Sequence, residues 1–186
     1  MANLICLHGW ARSGKDTAAA FLKPLGFEVR AFADPLRSLT HACDPIIAGY
    51  FGDEESVWYR YAEALDDIGY NEAKLAYPEV REFLQRLGNG ARQVFGDLFW
   101  VEQALKGLED PESRVVWTDC RYNNEGQAVR DAGGLIVKIE RRGTGPANAF
   151  EAEHHSMPGF EFDRVIENNG SLEDLRAKIE DIFKYA

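Results

Sequence analysis

The sequence predicts an α/β fold built on a parallel sheet, and three features predict it. Five short β-forming runs alternate with runs of helical periodicity; the β-forming runs are residues 3–8, 27–32, 115–119, 135–140 and 164–168. The third and fourth runs are almost continuously apolar, as are strands that helices cover on both faces of a parallel sheet. The length of 186 residues fits one domain, or one core with a small inserted subdomain.

Composition and charge disfavour several classes of partner. Hydrophobic residues make up 45% of the chain, which suffices for a packed core, and the formal net charge is −10. Such a charge argues against binding to a nucleic-acid backbone or to an anionic membrane. The three cysteines, Cys6, Cys43 and Cys120, form no C-x-x-C pair, so we expect reduced thiols. With no apolar run of membrane-spanning length, we expect a soluble cytoplasmic protein.

The turn after the first run has the pattern of a phosphate-binding loop. Gly9 is followed at the required spacing by Gly14 and Lys15, with an apolar run before the turn and a helix-forming run after it. The glycines let successive backbone N–H groups turn inward, and the start of the helix adds its positive dipole end. The pattern therefore predicts a site for polyphosphate, with the Lys15 ammonium against the outer phosphates.

Residue 16 departs from the common form of this loop, in which a Ser or Thr follows the lysine and holds Mg²⁺. Here Asp16 follows Lys15, and Thr17 comes next. Two interpretations stay open. Either Asp16 faces the metal, directly or through water, or it caps the helix while Thr17 takes the hydroxyl role.

A second group of polar residues follows the second run. Asp34 as N-cap and Pro35 as first helical residue predict a helix that begins at the carboxyl end of a strand. Ligands bind at this edge of open α/β sheets, so Asp34 and Arg37 are candidate site residues. A simple cap and a solvated arginine explain them equally well.

Residues 44–77 are an acidic, aromatic-rich insertion, for which helical spacing predicts one apolar helix face. The positions on that face are Val57, Trp58, Tyr61, Leu65 and Ile68. The next helix is predicted over residues 78–95, where a polar stripe lies beside an apolar one; the polar stripe is Arg81, Gln85, Gly88 and Arg92. Two arginines, an amide and a glycine that allows close approach suit an anionic nucleotide with a polar base edge, and a solvated charged surface is the alternative.

Two later strand ends also carry charged residues. Asp119 ends the third predicted strand and is expected to be a second residue that holds Mg²⁺, directly or through water, with Arg121 at the same edge. An Asp at the end of a strand is, however, often only a turn former. Arg141 and Arg142 directly follow the fourth predicted strand and predict a mobile, positively charged flap. His154 and His155 do not predict zinc, because adjacent side chains point apart and no further His or Cys lies nearby.

Four stretches together resemble bacteriophage deoxynucleoside monophosphate kinases, relatives of adenylate kinase. They are ARSGKDT; FADPLR with REFLQRLGNGARQVFG; TDCRYNNEGQAVRDAGG; and IERRG with HHSMPG and IENNGSLEDL. The resemblance covers nearly the whole chain outside residues 44–77, and the GKDT ending also occurs in this family. It implies a P-loop NTPase three-layer αβα sandwich with a five-stranded parallel sheet. It further implies one domain over residues 1–186, with a helical substrate-binding region at about 34–98 and a lid at about 141–162.

The resemblance also implies the reaction, which is transfer of the γ-phosphoryl group of ATP to a deoxynucleoside 5′-monophosphate with Mg²⁺ as cofactor. The residues expected to bind ATP are Ala11, Arg12, Ser13, Gly14, Lys15, Asp16 and Thr17. Those expected on the monophosphate side are Asp34, Arg37, Arg81, Gln85, Arg92 and Arg121. The expected catalytic cations are Lys15, Arg12, Arg121 and Arg141, and the metal candidates are Asp16, Thr17 and Asp119.

One lid position departs from the family. Where the family often has Glu after the H-x-S/T of the lid, this chain has Met157, so the role of that carboxylate has no residue here, and His154 and Ser156 carry less weight. The acceptor phosphate is already an anionic nucleophile and needs no general base. Catalysis is therefore expected to rest on in-line positioning and on cations that stabilise the transferred group.

Two other functions stay open at this point. A kinase for another small phosphate, such as phosphomevalonate or dephospho-coenzyme A, would use the same loop, but an amide at Gln85 that can pair with a base favours a nucleotide. A regulatory module that binds ATP without transfer would need no arginines beyond the loop. We expect ATP and a deoxynucleoside monophosphate as binding partners, and neither nucleic acid nor a membrane. If the chain is phage-encoded, we expect it to act in the host cytoplasm. Whether it forms a homodimer stays open.

Overall fold

The computed structural model describes residues 3–51, 56–108, 110, 112–146, 152 and 155–182. In chain order the strands are β1 Leu4–His8, β2 Glu28–Arg30, β3 Ile46–Phe51, β4 Ser56–Arg60, β5 Val115–Cys120, β6 Leu135–Glu140 and β7 Arg164–Glu167. The helices are α1 Lys15–Leu22, α2 Asp34–Cys43, α3 Tyr61–Ala76, α4 Pro78–Phe95, α5 Phe99–Ala104, α6 Asn123–Asp131 and α7 Leu172–Asp181, with a 3₁₀ turn at Lys23–Leu25. Among the described residues no helix combines the length and the apolarity that a membrane crossing needs.

The chain divides into two compact units. The first consists of Met1–Phe32 together with Ala104–Ala186, and the second is the continuous segment Ala33–Gln103.

The first unit is built on a five-stranded parallel sheet. Its strand order is β2-β5-β1-β6-β7, so β1 is central and lies between β5 and β6. Ile5 and Leu7 point to one face of the sheet and join a core cluster with apolar residues of α1 and α7. On the other face, Cys6 and Cys120 are buried free thiols. The predicted α/β class and its five parallel strands are confirmed.

The second unit has a different architecture, and the sequence predicted it only in part. Strands β3 and β4 form an antiparallel hairpin, in which Gly49 pairs with Trp58. The predicted single helix face over residues 57–68 is therefore wrong: Trp58 lies in a strand and is 51% exposed, and Ile68 is 41% exposed. The side chain of Val57 lies outside the described residues. The run of β-branched and aromatic residues at 57–59 favours a strand, and α3 begins only at Tyr61.

The core of the second unit is a small cluster contributed by the hairpin, α3 and α4. Its buried members are Ile47, Tyr61, Ala64, Ala73, Val80 and Leu84. Helix α4 has the predicted bounds, Pro78–Phe95. The apolar stripe predicted along it does not reach its last turn, because Val94 and Phe95 are 73% and 67% exposed.

Candidate functional site

The loop between β1 and α1 has a backbone that requires glycine at both ends. Gly9 has φ +149° and Gly14 has φ +106°, a region that side chains other than hydrogen rarely allow. A Cβ at Gly9 would also collide with the carbonyl oxygen of Ile139. Between them, the N–H of Ser13 donates to the carbonyl of Trp10 at 3.1 Å, which closes the turn.

The helix that follows begins without a side-chain cap. Its N-cap is Gly14, and within the described part of the chain no side-chain hydrogen bond caps this end of the helix. Asp16 lies in the first turn of α1 and is exposed. The interpretation of Asp16 as the N-cap is therefore wrong, because the glycine already supplies the left-handed residue from which the helix starts. The acidic side chain instead lies beside the positive end of the helix dipole.

Lys15 is folded back over the loop. Its Nζ donates to the carbonyls of Gly9 at 2.7 Å and Trp10 at 2.9 Å. An ammonium has three donors, and these bonds use two of them. The cation is thus held at the start of α1, close to the backbone of the loop, as expected for a lysine that meets phosphate oxygens.

Three charged side chains surround the Lys15 ammonium electrostatically. Burial lowers the pKa of Lys15, Asp16 raises it, Arg121 lowers it and Asp119 raises it, in that order of size. Because β5 pairs with β1 as far as His8 and Cys120, residues from two separate stretches of the chain, 15–16 and 119–121, act on one another in the first unit. A basic pair and an acidic pair at one sheet edge suit an anionic ligand that carries a divalent cation.

The connection from β5 to α6 is fixed by hydrogen bonds that the sequence did not predict. Asp119 accepts a hydrogen bond from the Phe32 N–H through Oδ1 at 2.6 Å. Buried Glu125 accepts from the backbone N–H groups of Arg121 at 2.7 Å and Tyr122 at 3.1 Å. The pairing of Tyr122 with Glu125 three positions later has the spacing of a capping box, which was the signal available in the sequence. Glu125 holds the backbone that projects the exposed Arg121 side chain.

A cleft of about 380 Å³ begins at the loop and extends along the end of β6. It is lined by Gly9, Trp10, Lys138, Ile139, Glu140, Arg141, Arg142, Thr144, Glu167 and Asn169. Arg141 and Arg142 are exposed, and a turn closed by the Thr144 hydroxyl on the Arg141 carbonyl at 2.7 Å orders their backbone. The Arg142 N–H donates to Asn169 Oδ1 at 2.8 Å. Of the predicted lid, residues 147–151, 153 and His154 lie outside the described residues.

The end of the predicted lid packs on the β5–α6 connection. Tyr122 and His155 are joined by a hydrogen bond of 3.0 Å between the phenol oxygen and Nε2. Met157, at the position where the family often has Glu, is 2% exposed and its sulfur lies 3.7 Å from the sulfur of Cys120. This side chain is therefore part of an apolar contact beneath the connection.

In the second unit, Arg37 has its guanidinium held on two sides. It forms an ion pair with Asp34 at 3.0 Å and lies 4.9 Å from the centre of the Tyr70 ring. The prediction that Asp34 is the N-cap is wrong, because α2 begins at Asp34 itself and Ala33 is the cap. The Asp34 carboxylate binds Arg37 in the first turn, and Pro35 occupies the turn without needing an N–H.

The polar stripe on α4 is present in part. Arg81 and Gln85 are exposed and Arg92 is half-buried. Gly88 does not open access to a ligand as predicted: it is buried, a Cβ there would lie 3.3 Å from Leu36 Cδ2, and its carbonyl accepts the indole N–H of Trp100 at 2.9 Å. The glycine serves helix packing, which the stripe pattern could not distinguish from ligand access.

Two buried polar residues beside the loop were missed. Asn168, after β7, is 8% exposed and its side-chain amide donates to the Ser13 carbonyl at 2.8 Å. His8, the last residue of β1, is 2% exposed and its Nδ1 bonds the Cys120 carbonyl at 3.1 Å. Their common signal is a polar residue at the carboxyl end of a predicted strand, the edge at which ligands bind in such sheets.

A family profile and several curated proteins that match this chain carry the same family name. A sequence profile described as deoxynucleotide monophosphate kinase matches residues 48–179. A protein of Acanthamoeba polyphaga mimivirus, provisionally named a deoxynucleotide monophosphate kinase, is 28% identical over 188 residues, which are 95% of this chain and 93% of that protein. The deoxynucleotide monophosphate kinase of Escherichia phage RB69 is 33% identical over 111 residues, 56% of this chain and 45% of that protein. Among solved structures, TT1252 from Thermus thermophilus aligns with 99% of this chain at 15% identity and a TM-score of 0.41.

Proposed function

Because this chain belongs to the deoxynucleotide monophosphate kinase family, it is a kinase, and we propose that residues 11–17 bind ATP as its phosphoryl donor. The observation that carries the proposal is the Lys15 ammonium, held over a glycine-bounded loop by two of the loop's own carbonyls. Backbone N–H groups, the start of α1 and this cation would together bind the donor's phosphates. The loop residues that would contact the donor are Ala11, Arg12, Ser13, Gly14, Lys15, Asp16 and Thr17.

The donor set beside Lys15 fits Mg²⁺. Asp16, Thr17 and Asp119 offer hard oxygen ligands, and Mg²⁺ in such sites keeps several waters and takes few protein ligands beside phosphate oxygens. Support comes from the pairing of β1 with β5, which brings the end of the strand that carries Asp119 beside the strand that leads into the loop, and from Asp16 in the first turn of α1. Both carboxylates also raise the pKa of Lys15. When bound, the ion neutralises charge on the donor's phosphate oxygens.

Catalysis would rest on positioning and charge. An oxygen of the acceptor's monophosphate forms a bond to the γ-phosphorus while the bond from that phosphorus to the bridging oxygen of ADP breaks, so no base has to remove a proton. Lys15, Arg12, Arg121 and Arg141 are the cations proposed to stabilise the transferred group. The side chains of Arg12, Arg121 and Arg141 are exposed, as side chains that gather around an entering ligand need to be.

The acceptor, a deoxynucleoside 5′-monophosphate, would be bound by a separate set of residues. The proposed set is Asp34, Arg37, Arg81, Gln85, Arg92 and Arg121. Arg37 has the most support, because Asp34 and Tyr70 restrict its guanidinium before any ligand arrives. An amide at Gln85 offers both a donor and an acceptor to a base edge.

A panel of acceptors tests this function. ADP release from ATP is measured with each of the four deoxynucleoside monophosphates, with phosphomevalonate, with dephospho-coenzyme A and with no acceptor. We expect release only with one or more of the deoxynucleotides, and the diphosphate as second product. Release only with another phosphate would contradict the proposed acceptor, and ATP binding without release under any condition would indicate a regulatory module.

The proposal also covers the compartment in which the protein acts and the molecules that it binds. Relatives from two phages and a mimivirus support the host cytoplasm as the place of action. ATP and the deoxynucleotide are the proposed partners, and the net charge of −10 supports the exclusion of nucleic acid. Analytical ultracentrifugation tests the homodimer.

A further inference from the structure

Asn168 links the last strand of the sheet to the loop at residues 9–14. Its backbone N–H donates to the Glu140 carbonyl at 2.7 Å, which fixes the residue to the end of β6. Its side-chain Nδ2 donates to the Ser13 carbonyl at 2.8 Å, and the bond is buried. The two ends of this contact are separated by 155 residues along the chain. Asn168 therefore ties the loop to the rigid part of the sheet.

The bond fixes the direction of one peptide group of the loop. The Ser13 carbonyl and the Gly14 N–H belong to the same planar, trans peptide unit, so they point in opposite directions. While Asn168 holds the carbonyl, the Gly14 N–H points away from Asn168. A phosphate loop works through the inward direction of such N–H groups, and a flipped peptide would present a carbonyl oxygen instead.

The fit around this bond is tight. A Cβ on Gly14 would collide with Nδ2 of Asn168 and would lie 3.6 Å from a methyl group of Leu175. The Asn168 amide thus occupies the space that the missing side chain of Gly14 leaves. A second reason for glycine at position 14, beside its φ of +106°, is therefore the approach of this amide.

Ser13 does not hold the peptide itself. Its side chain is fully buried, and its Oγ has no hydrogen-bond partner among the residues that the structure describes. Among the residues that the structure describes, the side chain that holds this peptide group by a hydrogen bond is therefore that of Asn168.

We propose that Asn168 is a positioning residue for the donor: its amide holds the Ser13–Gly14 peptide in the orientation that binds the phosphates of ATP. The inference rests on the proposed function, since it assigns a role within the same loop. It predicts a selective effect on the donor, because the Asn168 amide acts through its hydrogen bond to the donor loop.

The test compares three variants with the wild type. Asn168→Ala removes the amide, and Asn168→Asp keeps its shape but replaces the donor by an oxygen. Ile179→Val weakens the core cluster to which α7 contributes, at a position outside the loop sequence. For both Asn168 variants we expect KM for ATP and the Kd for inorganic tripolyphosphate to rise about tenfold, the effect of one lost hydrogen bond. KM for the deoxynucleotide should stay within about twofold of the wild-type value.

The outcomes separate the two proposals. A wild-type protein that binds ATP, together with an Asn168→Asp variant that binds it equally well, would overturn the positioning role and leave the proposed function intact. The same shift of KM for ATP in Ile179→Val would also overturn it, because loss of stability alone would then explain the effect. A wild-type protein that binds neither ATP nor tripolyphosphate would overturn the proposed function itself. Circular dichroism and Tm establish that each variant is folded.

Discussion

At the scale of single residues, Lys15 is the group on which the proposed chemistry depends most. Its ammonium is half-buried and lies against two loop carbonyls, and the burial that lowers its pKa would be offset by an anionic ligand. A cation in this environment interacts with phosphate more strongly than one in open solvent.

Lys15→Ala should abolish most turnover while leaving the fold intact. We expect kcat for phosphoryl transfer to fall by about 100-fold or more, since the lost charge acts on the transferred group. The matched control is Lys23→Ala, which removes an exposed lysine from the 3₁₀ turn after α1. Near wild-type transfer by Lys15→Ala, in the ADP-release assay at saturating ATP and acceptor, would show that the interpretation of the loop is wrong.

His8 gives the chain a second residue-level property, a dependence of stability on pH. Burial lowers the pKa of His8 from 6.5 to about 4; the Cys120 carbonyl opposes that shift, and Lys138 and Lys15 add to it. Because a carbonyl can only accept, Nδ1 carries the proton of the neutral ring. The ring also stacks on Phe162 at 5.1 Å between centroids. The folded state thus keeps His8 neutral at pH values where an unfolded histidine is charged.

Stability should fall as the pH is lowered from 6.5 towards 4. In that window the unfolded chain binds a proton that folded His8 does not, so the free energy of unfolding decreases with falling pH, by about 2 kcal/mol at pH 5 from this residue. Urea unfolding at pH 7.5 and pH 5 measures the difference. His8→Gln should lose this part of it, whereas His41→Gln removes an exposed histidine as the control. An unchanged difference in His8→Gln would contradict the assignment.

At the scale of elements, the residue pattern predicted those strands and helices that depend on local periodicity. The five parallel strands and helix α4 follow from runs of apolar residues with clear periodicity, and the structure has them with nearly the predicted bounds. The β3–β4 hairpin was missed, because the aromatic spacing across residues 57–68 fits a helix as well as a strand followed by a helix. Only pairing with residues 46–51 distinguishes these possibilities, and pairing is a tertiary property.

The candidate site also contains some features that a local pattern predicts and others that depend on tertiary contacts. The loop, Asp119 and Arg121 could be predicted because each stands at a strand end with a known pattern. The contacts of Asn168 with Ser13 and of His8 with Cys120 could not, because they join residues that are 155 and 112 positions apart. Residue type and position suggest such contacts, but only the folded sheet determines which partner is reached.

Two glycines test whether packing or helix propensity determines how a Gly→Ala substitution changes the free energy of unfolding. At Gly90 in α4, a Cβ would meet no atom within 4 Å. At Gly134, just before β6, it would lie 2.8 Å from Leu4 Cβ and 2.6 Å from Val129 Cγ1. We expect Gly90→Ala to raise the free energy of unfolding by about 0.5–1 kcal/mol through helix propensity. Gly134→Ala should lower it by about 1–3 kcal/mol through overpacking, and urea unfolding of both variants measures the two signs. Equal effects would contradict this account.

At the scale of the whole molecule, the proposed donor and acceptor residues belong mostly to different compact units. The loop and the cations Lys15, Arg121 and Arg141 lie in the first unit, and Arg37, with the charged stripe of α4, lies in the second. Each unit has a core of its own. A protein with a net charge of −10 can bind two anions only if its cations are concentrated in this way.

Separate ligands should therefore protect separate parts of the chain in hydrogen–deuterium exchange. ATP with Mg²⁺ alone should slow exchange at residues 9–17, whereas a deoxynucleoside monophosphate alone should slow it around residues 34–37 and 81–92. Arg37→Lys serves as the control for the acceptor, because it keeps the charge but loses the flat guanidinium that packs on Tyr70. In that variant the acceptor should protect less while ATP protects as before. Protection of residues 9–17 alone by the acceptor would contradict the assignment of the second unit, because those amides belong to the donor loop.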